Sequence, residues 1–357
     1  MKILVVTGSS GGHIFPALGF LDTLASRHKD IEALLVLPRK SIISQIKYKV
    51  SYISISSIKS SLDFKNFIAL LRFLKGAWES IIILLKFRPD VVVGFGSLAC
   101  VPMVMFARFL GAKVLIHEQN VIPGRANRML VRFVDKIALS FAETRSYFKN
   151  YERKITLTGN PIRAELTRID RQKALDFFGF YNDRFTILVT GGSQASRRIN
   201  LGFLKAVSAM PDKSIFQVIH LAGNSDVDLL AKAYKDLNID ARLFNFLGPM
   251  HYAYSASDLV VSRGGATTIS EIMFFRMPAV IIPYPYAYKH QAANADVLKN
   301  MGAGIIIGDD ELDADILGKT IDGLIRSPER IKAMRSCYGE NSGLSANDLL
   351  VGTVLSL

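Results

Sequence analysis

"VVTGSSGGHIFPAL", beginning at Val5, joins an apolar run to a glycine-rich turn, with a histidine where a helix should begin. Gly8, Gly11 and Gly12 let the backbone come close to a ligand. A helix opening near Ile14 aims its unpaired N–H groups at an anion. Two roles for His13 stand open on these residues alone: a capping or satisfied core residue, or a group that moves a proton. No Lys-Ser/Thr pair follows, so this is not a Walker loop, and the second glycine of GxGxxG is missing.

Two further turns repeat the device. In "LVTGGSQASRRIN", Ser193 supplies a hydroxyl and Gln194 an amide beside a helix start, a combination that suits phosphate. Arg197 and Arg198 read as a solvated helix face. In "VVSRGGATTISEIMFFRMPAVIIPYP", Ala266, Thr267 and Thr268 open a helix whose first turn is expected to carry Glu271. Glu271 is either an acid favoured by the helix dipole or a carboxylate accepting two ribose hydroxyls. In "PYAYKHQAANAD", His290, Gln291 and Asn294 offer polar groups to a sugar, with Gln291 and Asn294 three apart on one helix face.

The elements that must position these groups are legible as apolar runs. "KILVVT", "EALLVL", "VVVGFG", "KVLIHE", "KIALS" and "KITLTG" read as strands in the first half. "FTILVTGG", "FQVIHLAG", "ARLFNFL", "LVVSRGG" and "AVIIPYP" do so in the second. Runs apolar throughout suit strands covered on both faces, hence parallel sheets flanked by helices. Each half restarts with a strand feeding a glycine turn, so an α/β chain of two doubly wound domains is expected, with a cleft at the carboxyl ends of the strands. "TGNPIRAEL" marks the boundary, giving domains 1–161 and 162–341.

The chain of 357 residues carries a net charge of +13, unevenly spread. Residues 1–160 hold 23 Lys and Arg against 10 Asp and Glu, and residues 161–357 hold 21 of each. The first half therefore suits an anionic partner. Cys100 and Cys337 have no metal-site spacing and imply no disulfide framework. The N-terminus does not read as a signal peptide, so a cytosolic setting is expected.

Segment 62–88, "LDFKNFIALLRFLKGAWESIIILLKFR", is the outlier. Phe64, Phe67, Ile68, Leu71, Leu74 and Trp78 recur at helical spacing among Lys65, Arg72 and Lys75. Arg72, Lys75 and Glu79 interrupt the ~20 apolar residues that a membrane span needs. Core packing is one fate for such a stripe. An interfacial segment on anionic lipid is the other, and the basic excess in this half favours it.

Together these motifs resemble the MurG family, N-acetylglucosaminyltransferases that convert undecaprenyl-pyrophosphoryl-muramyl-pentapeptide (lipid I) to lipid II in peptidoglycan synthesis. "SSGGHIFPAL", "HEQNVIPGRANR", "GNPIR", "GGSQASRRIN", "SRGGATTISE" and "HQAANA" carry the resemblance, in order and over essentially the whole chain. It implies the GT-B type of fold: two Rossmann-like doubly wound domains, with a C-terminal helix at about 342–357 packing back on the first. The first domain would take lipid I, and the second UDP-N-acetylglucosamine (UDP-GlcNAc). Ser10, Gly11 and Gly12 would approach the sugar and the acceptor pyrophosphate, and Asn120 the donor sugar. Arg163 and Ser193 would bind the diphosphate, and Leu247 the uracil through its backbone. Ala266, Thr267, Thr268, Ile269, Ser270 and Glu271 would hold phosphate and ribose, with Gln291 and Asn294 at the N-acetylglucosamine.

The implied reaction inverts an α-linked donor to a β-1,4 product. His13 is then the candidate general base, with Glu118 and His117 as competitors. No metal or other cofactor is expected, because helix N-termini and Arg163 can meet the charge on leaving UDP. The first-domain patch would rest on the anionic cytoplasmic leaflet of the cell membrane, as a peripheral protein. Complexes with other cell-wall enzymes are a further implication.

Ser9 replaces a family glycine, Ala195 the last glycine of GGSQG, Ser196 the usual alanine, and Gly264 and Gly265 stand where one glycine is usual. If a replaced glycine needs positive φ, the turn is strained. Three rival readings remain. One is a soluble glycosyltransferase with another acceptor, against which "HEQNVIPGRANR" argues. Another is a nucleotide-sugar epimerase. The third is a nucleic-acid binder, disfavoured because the aromatics lie in aliphatic runs rather than as stacking platforms.

Overall fold

A computed structural model describes residues 1–39, 41, 46–55, 64–192, 195–286, 289–339 and 345–357; at 64–67 only the backbone is described. The chain divides into two compact units, Met1–Ala164 with Ser342–Leu357, and Glu165–Asn341. The expected boundary after residue 161 moves to 164 for a physical reason. Asn347 of the C-terminal segment accepts from Ile162 N (3.0 Å) and donates to Ile162 O (2.9 Å), which binds this stretch to the first unit.

The first unit runs β1 (Lys2–Thr7), α1 (Gly11–Arg27), β2 (Glu32–Pro38), β3 (Val50–Ile53), α2 (Phe64–Phe87), β4 (Val91–Phe95), α3 (Cys100–Phe109), β5 (Lys113–Glu118), α4 (Arg125–Leu130), β6 (Lys136–Leu139) and β7 (Ile155–Leu157). Among the described residues these strands form one seven-stranded parallel sheet, ordered β3-β2-β1-β4-β5-β6-β7. Both faces are covered. Leu4, Val6, Val92 and Val114 pack under α3, while Ile3, Val5 and Val93 pack with Ile14 and Phe20 of α1.

The second unit runs α5 (Arg171–Phe178), β8 (Phe185–Thr190), α6 (Arg197–Ser208), β9 (Phe216–Leu221), α7 (Val227–Asp236), β10 (Ala241–Phe244), α8 (Met250–Ala256), β11 (Leu259–Ser262), α9 (Ala266–Phe275), β12 (Ala279–Ile281), α10 (His290–Met301), β13 (Gly304–Ile306), α11 (Ala314–Ile325) and α12 (Pro328–Ser336). Among the described residues its sheet has six parallel strands, ordered β10-β9-β8-β11-β12-β13. Both sheets reverse their winding direction beside the first strand, between β1 and β4 and between β8 and β11. Those switch points are where doubly wound sheets bind ligands, at the strands' carboxyl ends.

The last helix, α13 (Ala346–Leu355), belongs to the first unit. Leu350, Val351 and Val354 join the core under α1. Asn347 also donates to Gly19 O and Thr23 Oγ1, both at 3.0 Å, so one amide ties α13, α1 and the Ile162 segment together. Gly19 must be glycine, since a Cβ there would lie 2.2 Å from Ile162 O.

Every strand but β3 and β13 was expected from its apolar run; these two are edge strands of four and three residues. Helix α1 begins at Gly11, three residues before the expected start, and Ser10 holds the N-cap position. Ser9 adopts no positive φ, whereas Ala195 does, at φ 55°. A left-handed alanine costs about 1 kcal/mol relative to glycine. Ala195→Gly is therefore expected to raise the stability of the protein by about 1 kcal/mol, read from denaturant midpoints.

Candidate active site

In the first unit, the ring of His13 sits between two backbone turns. One follows β1 at Gly8 and the other follows β4 at Gly96. A Cβ at Gly8 would lie 2.8 Å from His13 Cδ2, and one at Gly96 3.2 Å from His13 Cε1. Only glycine leaves room for the imidazole on both sides. Ser10 O accepts the amides of His13 (3.1 Å) and Ile14 (3.0 Å), while the N–H groups of Gly11 and Gly12, in the first turn, have no intrahelical acceptor. The Ser10 side chain makes no capping bond and is exposed. His13 is thus neither a cap nor a residue closed inside the core.

His13 Nδ1 lies 3.0 Å from Gln119 Oε1, and Gln119 Nε2 lies 3.1 Å from His117 Nδ1. His117 Nε2 lies 3.0 Å from Gly159 O. Burial pushes the His13 pKa below the ordinary histidine value, against the Gln119 hydrogen bond, the Glu118 charge and the Phe95 carbonyl. Burial brings His117 down to about 4, opposed by its Gly159 bond and reinforced by His13. Both nitrogens of His117 are occupied, so it has none left for a substrate.

Glu118, expected as a rival base, is engaged on both oxygens. Oε1 accepts from Asn120 N (2.9 Å) and Asn120 Nδ2 (3.4 Å), and Oε2 from Gly124 N (2.9 Å) and Asn127 Nδ2 (2.8 Å). It is almost fully buried. The carboxylate folds the 119–124 loop around itself and fixes Asn120, whose carbonyl also accepts from Thr144 Oγ1 at 3.2 Å. Arg163 stacks its guanidinium over Phe15 of α1, 5.1 Å from the ring centre.

In the second unit, Ser193 and Gln194 lie outside the described residues. Around them, Gly192 takes φ 81°, and a Cβ on Gly191 would lie 2.2 Å from Ser196 N. Ser196 caps α6 and accepts from Arg263 Nη2 at 2.9 Å. Arg263, passed over in the sequence, is buried and pairs with Asp309. Arg197 and Arg198, read as a solvated face, pair with Asp226 (2.7 Å) and Asp309 (3.0 Å).

Helix α9 starts at Ala266 behind Gly265, with no side chain capping it, so the first-turn N–H groups of Ala266, Thr267 and Thr268 have no intrahelical acceptor. Thr267 Oγ1 is buried with no hydrogen-bond partner among the described residues. Ile269 is fully buried and offers a ligand no side chain, and Ser270 Oγ donates back to Ala266 O at 2.8 Å. Glu271 falls in the second helical turn rather than the first. It is mostly buried, and its Oε2 accepts from Tyr254 OH at 2.8 Å.

Gln291 Oε1 accepts from Gly264 N (3.1 Å) and Tyr284 N (2.9 Å), which leaves its amide donors to face outward. Asn294 corrects the expectation of a sugar contact. It is fully buried and donates to Gly264 O at 3.1 Å, so it holds the turn. Gly264 itself is obligatory, because a Cβ would lie 2.3 Å from Gln291 O. Leu247 is buried, leaving its backbone as the available part, and its neighbour Phe246 is 72% exposed. That bare ring, missed in the sequence, is a surface on which a base can stack.

Within the 62–88 segment, Phe64–Phe87 form one helix, α2. The side chains of Phe64, Lys65 and Phe67 lie outside the described residues. Beyond them, Ile68, Leu71, Leu74 and Trp78 are exposed, Leu74 by 56% and Trp78 by 64%. Arg72 and Lys75 are exposed among them. The stripe therefore does not pack into the core. Phe109 and Leu110, at the end of α3, are exposed as well. Glu79 anchors α2, accepting from Ser54 N at 2.5 Å. No helix among the described residues is long and apolar enough to cross a membrane.

Two histidines, His117 and His220, lie fully buried and neutral. His220 bonds Tyr234 OH (2.8 Å) and Asn200 Oδ1 (3.1 Å), and burial brings its pKa to about 3. The unfolded chain takes up protons at these sites near pH 6.5, and the folded chain does so only well below. Their contribution to stability is present above pH 6.5 and is lost as pH falls. For these two, stability should drop by roughly 2 kcal/mol per pH unit between roughly pH 5.5 and 4.5, measurable as unfolding midpoints against pH. A flat profile in that window would contradict the buried neutral state.

Residues 3–139 match the model of the glycosyltransferase family 28 N-terminal domain, and residues 186–349 that of its C-terminal domain. A protein of Desulforamulus reducens is 34% identical over 345 residues, covering 94% of this chain and 92% of its own. One of Geobacter sulfurreducens is 35% identical over 362 residues, covering 100% and 98%. Both bear the name UDP-N-acetylglucosamine–N-acetylmuramyl-(pentapeptide) pyrophosphoryl-undecaprenol N-acetylglucosamine transferase. The crystal structure of Acinetobacter baumannii MurG superposes with a TM-score of 0.78 at 22% identity, covering 100% of this chain and 99% of that one, a likeness of GT-B fold. Two family-28 domains in series and full-length identity of about a third place this chain in the MurG family.

Proposed function

We propose that the chain transfers N-acetylglucosamine from UDP-GlcNAc to lipid I, forming the β-1,4 link of lipid II with inversion at the anomeric carbon. The observation that carries this reading is the full-length similarity to relatives bearing that name. The site geometry supports it in each unit.

The first unit takes the acceptor. The acceptor hydroxyl oxygen attacks the anomeric carbon as the bond to UDP breaks, and its proton passes to His13 Nε2. His13 serves because it is neutral at working pH and has Nε2 without a protein partner among the described residues. Glu118, saturated by four donors, shapes the loop that presents Asn120.

The second unit takes the donor. The open first turn of α9 and the orphaned Thr267 hydroxyl suit the diphosphate, and Glu271 the ribose hydroxyls. Gln291, with its amide donors outward, suits a sugar hydroxyl. Arg163 supplies a fixed positive charge for leaving UDP, and the reaction runs without a divalent metal.

Helix α2 rests on the anionic cytoplasmic leaflet, where a prenyl-linked acceptor is held, and the protein is peripheral there. The exposed apolar stripe with Arg72 and Lys75 on its rim supports this. Arg72→Glu with Lys75→Glu should weaken binding to anionic vesicles at least thirty-fold, from about 1 kcal/mol for each basic residue removed. Transfer to a short-chain soluble acceptor should be unchanged. Equal loss on both acceptors would contradict the placement.

Incubation with UDP-GlcNAc alone tests the reading against an epimerase. A transferase leaves the donor sugar unaltered until acceptor is added, whereas epimerised sugar nucleotide without acceptor would overturn the assignment.

A further inference from the structure

The role of His13 depends on which ring nitrogen carries the proton, and the chain behind the ring decides it. The far end of that chain is a backbone carbonyl. Gly159 O can only accept, so His117 Nε2, 3.0 Å away, carries a hydrogen. A neutral His117 then has a bare Nδ1, which accepts from Gln119 Nε2 at 3.1 Å. The same Nε2 lies 3.1 Å from His117 O, a second group that can only accept. Both contacts orient the amide one way, with its nitrogen toward His117 and its oxygen toward His13. Gln119 Oε1 therefore accepts from His13 Nδ1–H at 3.0 Å.

We propose that Gln119 is a positioning residue that, backed by His117 and the Gly159 carbonyl, holds His13 in the tautomer with Nδ1 protonated and Nε2 bare. Each member is fixed from outside the relay. Gly159 takes φ 77°, and a Cβ there would lie 3.0 Å from Ala346 Cβ of α13, so the backbone carrying the terminal carbonyl is packed against the last helix. Gln119 and His117 are almost fully buried, which keeps water from competing for the amide. The flanking Gly8 and Gly96 leave the slot in which the imidazole lies. Gln119 acts through His13 and needs no contact with substrate.

The inference rests on His13 as the base for its catalytic meaning, but its geometry is tested without turnover. Nitrogen-15 spectra of histidine-labelled wild-type protein at pH 8, assigned with His13→Ala, should show His13 with Nδ1 protonated and Nε2 bare. His117 should show the opposite tautomer. Gln119→Leu should turn the His13 signals into a tautomer mixture and lower kcat ~10–100-fold with donor KM unchanged. His13 protonated on Nε2 in the wild type would overturn the proposal, as would an unaltered tautomer and kcat in Gln119→Leu. If Gln119→Leu does not fold, the wild-type spectrum alone decides. Should the tautomers appear as stated while His13→Ala keeps full kcat, the base assignment fails and the positioning geometry stands.

Discussion

Replacing His13 with alanine lowers kcat by about 10²–10⁴-fold while the donor KM stays close to that of the wild type. The size follows from losing proton transfer at the attacking hydroxyl. The selectivity for kcat follows from position, because His13 lies on the first unit and the donor groups assigned above lie mainly on the second. The ring fills a slot between two glycines, so its removal leaves space without exposing a charge. Gln119 Oε1 loses its partner but can take a water in the vacated space. Circular dichroism and unfolding midpoints separate this from misfolding. Comparable loss through unfolding would return His13 to a structural role. The acid limb of kcat/KM should also lie below the ordinary histidine value near 6.5, because burial lowers the pKa in the free protein.

Replacing Glu271 with alanine raises donor KM by about 10–100-fold, the loss of charge-assisted hydrogen bonds worth about 1.5–3 kcal/mol. The variant also strips Tyr254 OH of the acceptor it bonds at 2.8 Å, which costs stability on its own account. Glu271→Gln separates the two effects. It keeps an acceptor for Tyr254 while removing the charge, so stability should recover while donor KM stays raised. Unchanged donor KM in both variants would contradict the ribose assignment.

Much of this was legible in the sequence because strands covered on both faces need unbroken apolar runs. β1, β4, β8 and β11 each declare themselves, and each feeds a turn near the chemistry. β3 and β13 escaped because edge strands of three or four residues bury too little to leave a pattern. The roles of single polar residues were harder to read, because long-range packing decides them. Glu118 looks like a base until Gly124 and Asn127 fold back onto it. Asn294 looks like a sugar ligand until its amide is found bonded to Gly264 O, 30 residues away in sequence. Gln119 gave no signal, since its meaning comes from His13, 106 positions distant. Phe109 and Leu110 extend the apolar exposure of the first unit, but nothing in their spacing ties them to the α2 stripe.

The most direct test is transfer from UDP-GlcNAc labelled in the sugar, with a lipid I analogue, in the presence of a metal chelator. The expected result is acceptor-dependent label in the lipid product, β-linked, at a rate the chelator does not change. Donor binding with no label reaching the lipid would contradict the acceptor assignment, and a rate restored only by added divalent metal would contradict the account of how leaving UDP is stabilised.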